Sequence, residues 1–76
     1  MDYKQEIKEI IRMADNEAPE FWRKGQAIYN FAYKKFPEAV DSLEYENFLK
    51  DVDCFYKDEN IPAFLTALQT ELEKRY

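Results

Sequence analysis

The chain is 76 residues long, with 16 Asp and Glu against 11 Lys and Arg, a formal charge of −5. That length is one domain, residues 1–76, near the lower limit at which a core closes unaided. With no His and Cys54 as the only cysteine, Cys/His zinc sites, Ser/His and Cys/His nucleophile systems and an intrachain disulfide are excluded. A single Gly excludes a Gly-rich phosphate loop.

Six Phe, six Tyr and one Trp supply the bulk that lets a short chain fill a core. The first residues carry no basic segment followed by an apolar one, and no apolar run exceeds three residues. The expectation is therefore a cytoplasmic chain without a membrane span.

Helical spacing dominates, and the fold class expected is all-α, a small bundle of about four helices. Over residues 2–16, Tyr3, Ile7, Ile10, Ile11 and Ala14 recur at steps of three and four, with charges opposite. Pro19 ends this helix or opens the next. A second helix is expected over residues 20–36. At 100° per residue Phe21, Gly25, Ile28, Ala32 and Phe36 share one face, and Arg23, Ala27, Asn30 and Lys34 lie opposite. Trp22, Tyr29 and Tyr33 form one apolar shoulder and Phe31 the other, which predicts a central helix. Gly25 costs about 1 kcal/mol against Ala inside a helix, and close approach of another helix is the expected reason for it.

Pro37 stops the second helix and opens a turn whose buried side is Ala39, Val40 and Leu43. A short helix is expected at residues 44–51, from the spacing of Tyr45, Phe48, Leu49 and Val52. Residues 51–58 then read as an ordered aromatic and acidic loop before the last helix. That helix has Asn60 as a favourable N-cap, Pro62 in its first turn, and a stripe of Ile61, Phe64, Leu65, Leu68 and Leu72.

Charge is uneven along the chain. Between Glu38 and Glu59, eight acids (Glu38, Asp41, Glu44, Glu46, Asp51, Asp53, Asp58, Glu59) stand against Lys50 and Lys57, a net of −6. An acidic total argues against nucleic-acid binding, which depends on neutralising phosphates. Arg23, Lys24, Lys34 and Lys35 lie near aromatic residues, but four cations are too few for a single-strand groove. A calcium loop at Asp51 and Asp53 fails, because Tyr56 stands where the turn needs Gly and Pro62 where Glu is needed. The simpler reading of these acids is a solvated loop with carboxylates that favour the following helix dipole. Cys54 reads as a small buried hydrophobe.

Trp22, Arg23, Gln26 and Asn30 make a polar group on the second helix. It can be a recognition patch with a Trp anchor. Equally, Arg23 and Asn30 can bond the 51–59 loop and pin Phe55 and Tyr56 to the core.

Two stretches stand out together: Arg23-Lys24-Gly25-Gln26-Ala27-Ile28-Tyr29-Asn30, and Asp53-Cys54-Phe55-Tyr56-Lys57-Asp58 before Ile61-Pro62-Ala63-Phe64. They resemble a group of short bacterial and bacteriophage proteins that share R-x-G-Q-[AF]-x-[FY]-N and D-x-F-Y-x-D elements. The resemblance spans about residues 20–70. It implies a shape and a bacterial or phage origin, not a mechanism. It also implies that Arg23, Gln26, Asn30, Asp53, Tyr56 and Asp58 act as one unit.

The expected function is a non-catalytic helical interaction module that binds another protein or itself, with no cofactor and no metal. Its candidate partner-binding residues are Trp22, Arg23, Gln26, Tyr29, Asn30, Tyr33, Asp53, Tyr56 and Asp58. The alternative is an acidic antagonist that mimics nucleic acid and occupies the basic groove of a host DNA-handling protein.

Overall fold

The stripe along the first helix buries as its spacing predicts. In the computed structural model, which describes residues 3–46 and 54–75, α1 spans Tyr3–Asn16 and buries Tyr3, Ile7, Ile10 and Ala14. The amide of Glu17 still donates to the Met13 carbonyl at 2.8 Å. Pro19 then belongs to neither helix. It opens a tight turn closed by the Trp22 amide on the Pro19 carbonyl, 3.0 Å.

Because that turn occupies residues 19–22, α2 runs over Lys24–Lys35 and not from residue 20. Its buried residues are Gly25, Ala27, Ile28 and Ala32. Phe21, expected on the buried face, precedes the helix and is 83% exposed, while Ala27, placed opposite that face, is fully buried as well. Lys34 and Lys35 stand in the last turn of α2, where cations favour the helix dipole.

A single residue joins α2 to the next helix. Phe36 precedes a proline and so avoids the helical region. Its φ of −137° and ψ of 65° turn the chain, while its amide still reaches the Ala32 carbonyl at 2.8 Å. The same residue's carbonyl accepts from the Val40 amide at 3.0 Å, so α3 begins at Pro37 and runs to Glu46. Ala39, Val40 and Leu43 are its buried side, as the spacing predicts. The short helix expected at residues 44–51 overlaps the end of α3, and its remainder lies outside the described residues.

The chain re-enters at Cys54, makes a single 3₁₀ turn over Asp58–Asn60, and passes directly into α4, Ile61–Arg75. Asn60 directly precedes α4 and is buried; Phe64, Leu68 and Leu72 are buried along that helix, with Ile61 and Leu65 at the edge of the stripe. Glu71 is buried beside Leu72, which the apolar stripe does not foretell.

The helices close a circuit. α1 packs on α2, α2 on α3, α3 on α4, and α4 returns to α1. α2 packs on α1, on α3 and on the 3₁₀ turn over Asp58–Asn60, so it meets most of the other elements, as its wide apolar surface suggests. α1 and α2 are antiparallel, bridged at one end by Lys24 and Asp15 (3.7 Å) and at the other by Lys35 and Glu6 (3.0 Å). Ile10, Ile28, Val40, Cys54, Phe64, Leu68 and Leu72 are the most deeply buried side chains. Among the described residues there is no strand, and no helix is long and apolar enough to cross a membrane.

Candidate functional site

The two sequence elements that stand out meet at the start of α2. A helix leaves its first amides without partners, and Ser, Thr, Asp or Asn at the N-cap ordinarily supplies an acceptor. Here the N-cap is Arg23, whose side chain makes no capping bond. The acceptor comes from 33 residues away: the Gly25 amide donates to Asp58 Oδ1 at 3.0 Å. A carboxylate at this end also meets the positive pole of the α2 dipole.

Three further contacts fasten the same place. The Arg23 guanidinium donates to the Phe55 carbonyl, and its Nε lies 3.6 Å from Asp58 Oδ1. The buried Cys54 thiol donates to the Gly25 carbonyl, Sγ to O 3.3 Å. Residues 54–60 therefore form a strap laid across the beginning of α2.

Gly25 makes this possible. A Cβ there would fall on the Cys54 carbonyl oxygen and stand 2.7 Å from Asp58 Oδ1. The glycine is required by a close approach, as the sequence suggests, but what approaches is the strap and not another helix. Its backbone φ is not positive, so conformational freedom plays no part.

Aromatic rings continue from the strap onto α2. Phe55 meets Tyr29 edge-on at 5.5 Å, Tyr29 stacks with Tyr33 at 6.4 Å, and Phe55 meets Tyr56 at 4.7 Å. Tyr29 also leans on the buried Phe64 at 5.6 Å, which anchors the row in the core. The result is a ladder Tyr33–Tyr29–Phe55–Tyr56, half-buried in the middle. Its ends are open to solvent, with Tyr33 41% and Tyr56 76% exposed.

Not every candidate joins this cluster. Trp22 belongs to the turn before α2 and packs edge-on against Phe31 at 6.1 Å and Phe21 at 6.4 Å. Tyr29 and Phe31 are about 200° apart around a helix, so Trp22 is on the other shoulder from Tyr29 and Tyr33. Its expected grouping with those tyrosines fails because residue 22 is not helical. Gln26 and Asn30 stand half-buried one turn apart on α2. Asp53 lies outside the described residues, as does Asp51.

The cations of the suspected basic strip are mostly engaged: Arg23 with Asp58, Lys24 with Asp15 and Lys35 with Glu6. Among the described residues no group of three or more Cys, Asp or Glu is placed to hold a metal ion. Sequence reasoning missed Phe21 as a surface residue and Gly25 as the floor of the strap. The absence of a capping side chain at residues 22–23 was the available signal that an acceptor had to come from elsewhere.

No family model, curated protein or solved structure matches this chain.

Proposed function

We propose that this chain is a non-catalytic interaction module that binds another protein, or a second copy of itself, through the aromatic ladder. The observation that carries the reading is the pair of exposed rings, Tyr33 and Tyr56, at the two ends of a row packed through Tyr29 and Phe55 onto Phe64. Tyrosine offers large contact area at low conformational-entropy cost, and fixed aromatic rings are favoured binding anchors. Of the candidate residues, Tyr29, Tyr33 and Tyr56 contact a partner in this reading. Arg23 and Asp58 hold the surface in shape.

The alternative of nucleic-acid mimicry rests on the charge of residues 38–59. It is weakened at Asp58, whose carboxylate is turned to the Gly25 amide and Arg23.

The test compares wild type with a Tyr33→Ser/Tyr56→Ser double variant and a Phe21→Ser variant, all with matched circular dichroism. Partner capture and sedimentation velocity are read for each. The reading expects binding or self-association to be lost in the tyrosine variant and kept in Phe21→Ser. Unchanged capture and unchanged sedimentation in the double variant would overturn it.

A further inference from the structure

A polar row runs beside the aromatic ladder. Along α2, Gln26 and Tyr29 are three residues apart, and so are Asn30 and Tyr33, which makes each amide the surface neighbour of one tyrosine. The two pairs repeat at a step of four residues, about 6 Å along the helix axis. The rings keep that step: the Tyr29 and Tyr33 centroids are 6.4 Å apart and their planes differ by 22°. A further step of four carries the row from Asn30 to the exposed Lys34.

Among the described residues, the side chains of Gln26, Asn30 and Lys34 make no hydrogen bond or ion pair. No buried side-chain nitrogen or oxygen among those residues lacks a partner, so the half-buried amides keep their polar atoms within reach of solvent. Comparable groups elsewhere are engaged. Asn16 donates to the Arg12 carbonyl and Gln69 to Glu73, while Lys24 and Lys35 pair with Asp15 and Glu6.

A carboxamide carries one carbonyl and one NH2 group. These match the N–H and C=O that one residue of an extended chain presents on the same edge. That edge recurs at every second residue, about 6.6–6.8 Å, close to the step between the two amides. A helical ligand has its backbone groups already paired and cannot use them so. Lys34 adds an unpaired cation at one end of the row, which favours a carboxylate in the ligand.

We infer that the row Gln26–Asn30–Lys34 binds an extended peptide segment of another protein. The two amides pair with its backbone at alternate residues, its side chains rest on Tyr29 and Tyr33, and an acidic residue meets Lys34. The inference rests on the binding role proposed above for the ladder and names the kind of partner. Main-chain bonds supply the affinity, and the rings and the cation supply the selectivity.

The probe is a library of random peptides displayed on phage and selected on the immobilised chain. Enriched peptides are synthesised and titrated against wild type, Gln26→Leu/Asn30→Leu, the near-isosteric Gln26→Glu/Asn30→Asp, and Lys34→Gln, all with matched circular dichroism. The row predicts enriched sequences with an acidic residue and with apolar side chains at alternate positions. A backbone N-methyl group at either paired residue should raise Kd about five- to tenfold, the scale of one hydrogen bond, and leave it unmoved at the residue between. That scan is read on the unaltered protein, so it does not depend on either amide variant folding. Removing both amides should raise Kd about a hundredfold, and Lys34→Gln about threefold.

No enrichment over unrelated phage, or enriched peptides unmoved by the amide variants or by the N-methyl scan, would overturn the peptide row and leave the ladder's binding role standing. Self-association of wild type that the amide variants abolish would put a second copy on the row and overturn the peptide. Peptides that need the amides yet bind Tyr33→Ser/Tyr56→Ser unchanged would overturn the ladder's role and uphold the amide contacts.

Discussion

Replacing Gly25 with alanine sets two effects of opposite sign against each other. Helix propensity alone favours alanine by up to about 1 kcal/mol. The geometry opposes it. The new methyl would stand 2.7 Å from Asp58 Oδ1, 3.2 Å from Asp58 Cα, and on top of the Cys54 carbonyl oxygen. Two of those three atoms are backbone and cannot rotate aside, so the strap must withdraw from α2. Withdrawal forfeits the Gly25 amide bond to Asp58, and hydrogen bonds to charged groups contribute about 1.5–3 kcal/mol. The Cys54 thiol bond to the Gly25 carbonyl goes with it. Set against the propensity gain, the expected net loss is about 2 kcal/mol. A domain of this length has a total stability of roughly 4–11 kcal/mol, so the loss is large. At about 4–8 °C per kcal/mol, Tm should fall by about 8–16 °C. Thermal and urea unfolding followed by far-ultraviolet circular dichroism measures it. An alanine variant as stable as wild type, or more so, would show that nothing presses on Gly25 and would refute the strap packing.

Other perturbations separate surface from core. Phe21→Ser should change stability by no more than about 0.5 kcal/mol, because the ring is exposed; a larger loss in urea unfolding would mean that Phe21 packs. Ala27→Lys should cost more than about 3 kcal/mol or abolish the folded signal, since it buries an unpaired charge. A well-folded lysine variant would show that residue 27 is not buried. Leu68→Ala removes a fully buried side chain and should cost about 2–5 kcal/mol in the same assay. The Glu9 carboxyl is held below its ordinary value by the hydrogen bond from Arg12 and by that residue's charge. A depressed carboxylate adds stability above its unfolded pKa and loses it as pH falls through the folded value, so its effect appears only in acid. In an NMR titration the Glu9 midpoint should move upward in Arg12→Gln, and an unmoved midpoint would dispose of the pairing.

Local pattern was enough for α1 and α4, and for the buried side of α3 though not for its length. Ile7, Ile10 and Ala14 on α1, Ala39, Val40 and Leu43 on α3, and Phe64, Leu68 and Leu72 on α4 repeat at helical steps and bury accordingly. Pro37 set the corner before α3, because a residue preceding proline leaves the helical region and proline suits a helix start. These features depend on neighbours within a few residues. The candidate site was legible in part: Arg23 was expected to bond the 51–59 loop, and its guanidinium does donate to the Phe55 carbonyl. Its members were only partly legible. Trp22 was grouped with Tyr29 and Tyr33 by extending a 100° repeat through a segment that is a turn, and the same extension misplaced Phe21; Ala27 is buried because the covered face of α2 is wider than one stripe.

The sequence by itself determined an all-α chain, its apolar stripes and the need for a small residue at 25. Only the tertiary structure decided where α2 begins and what presses on Gly25, because the acceptor that caps that helix is Asp58, which lies 33 residues further along the chain. Periodicity reports on contacts within one helix. A cap supplied from another part of the chain leaves no local trace except the missing one.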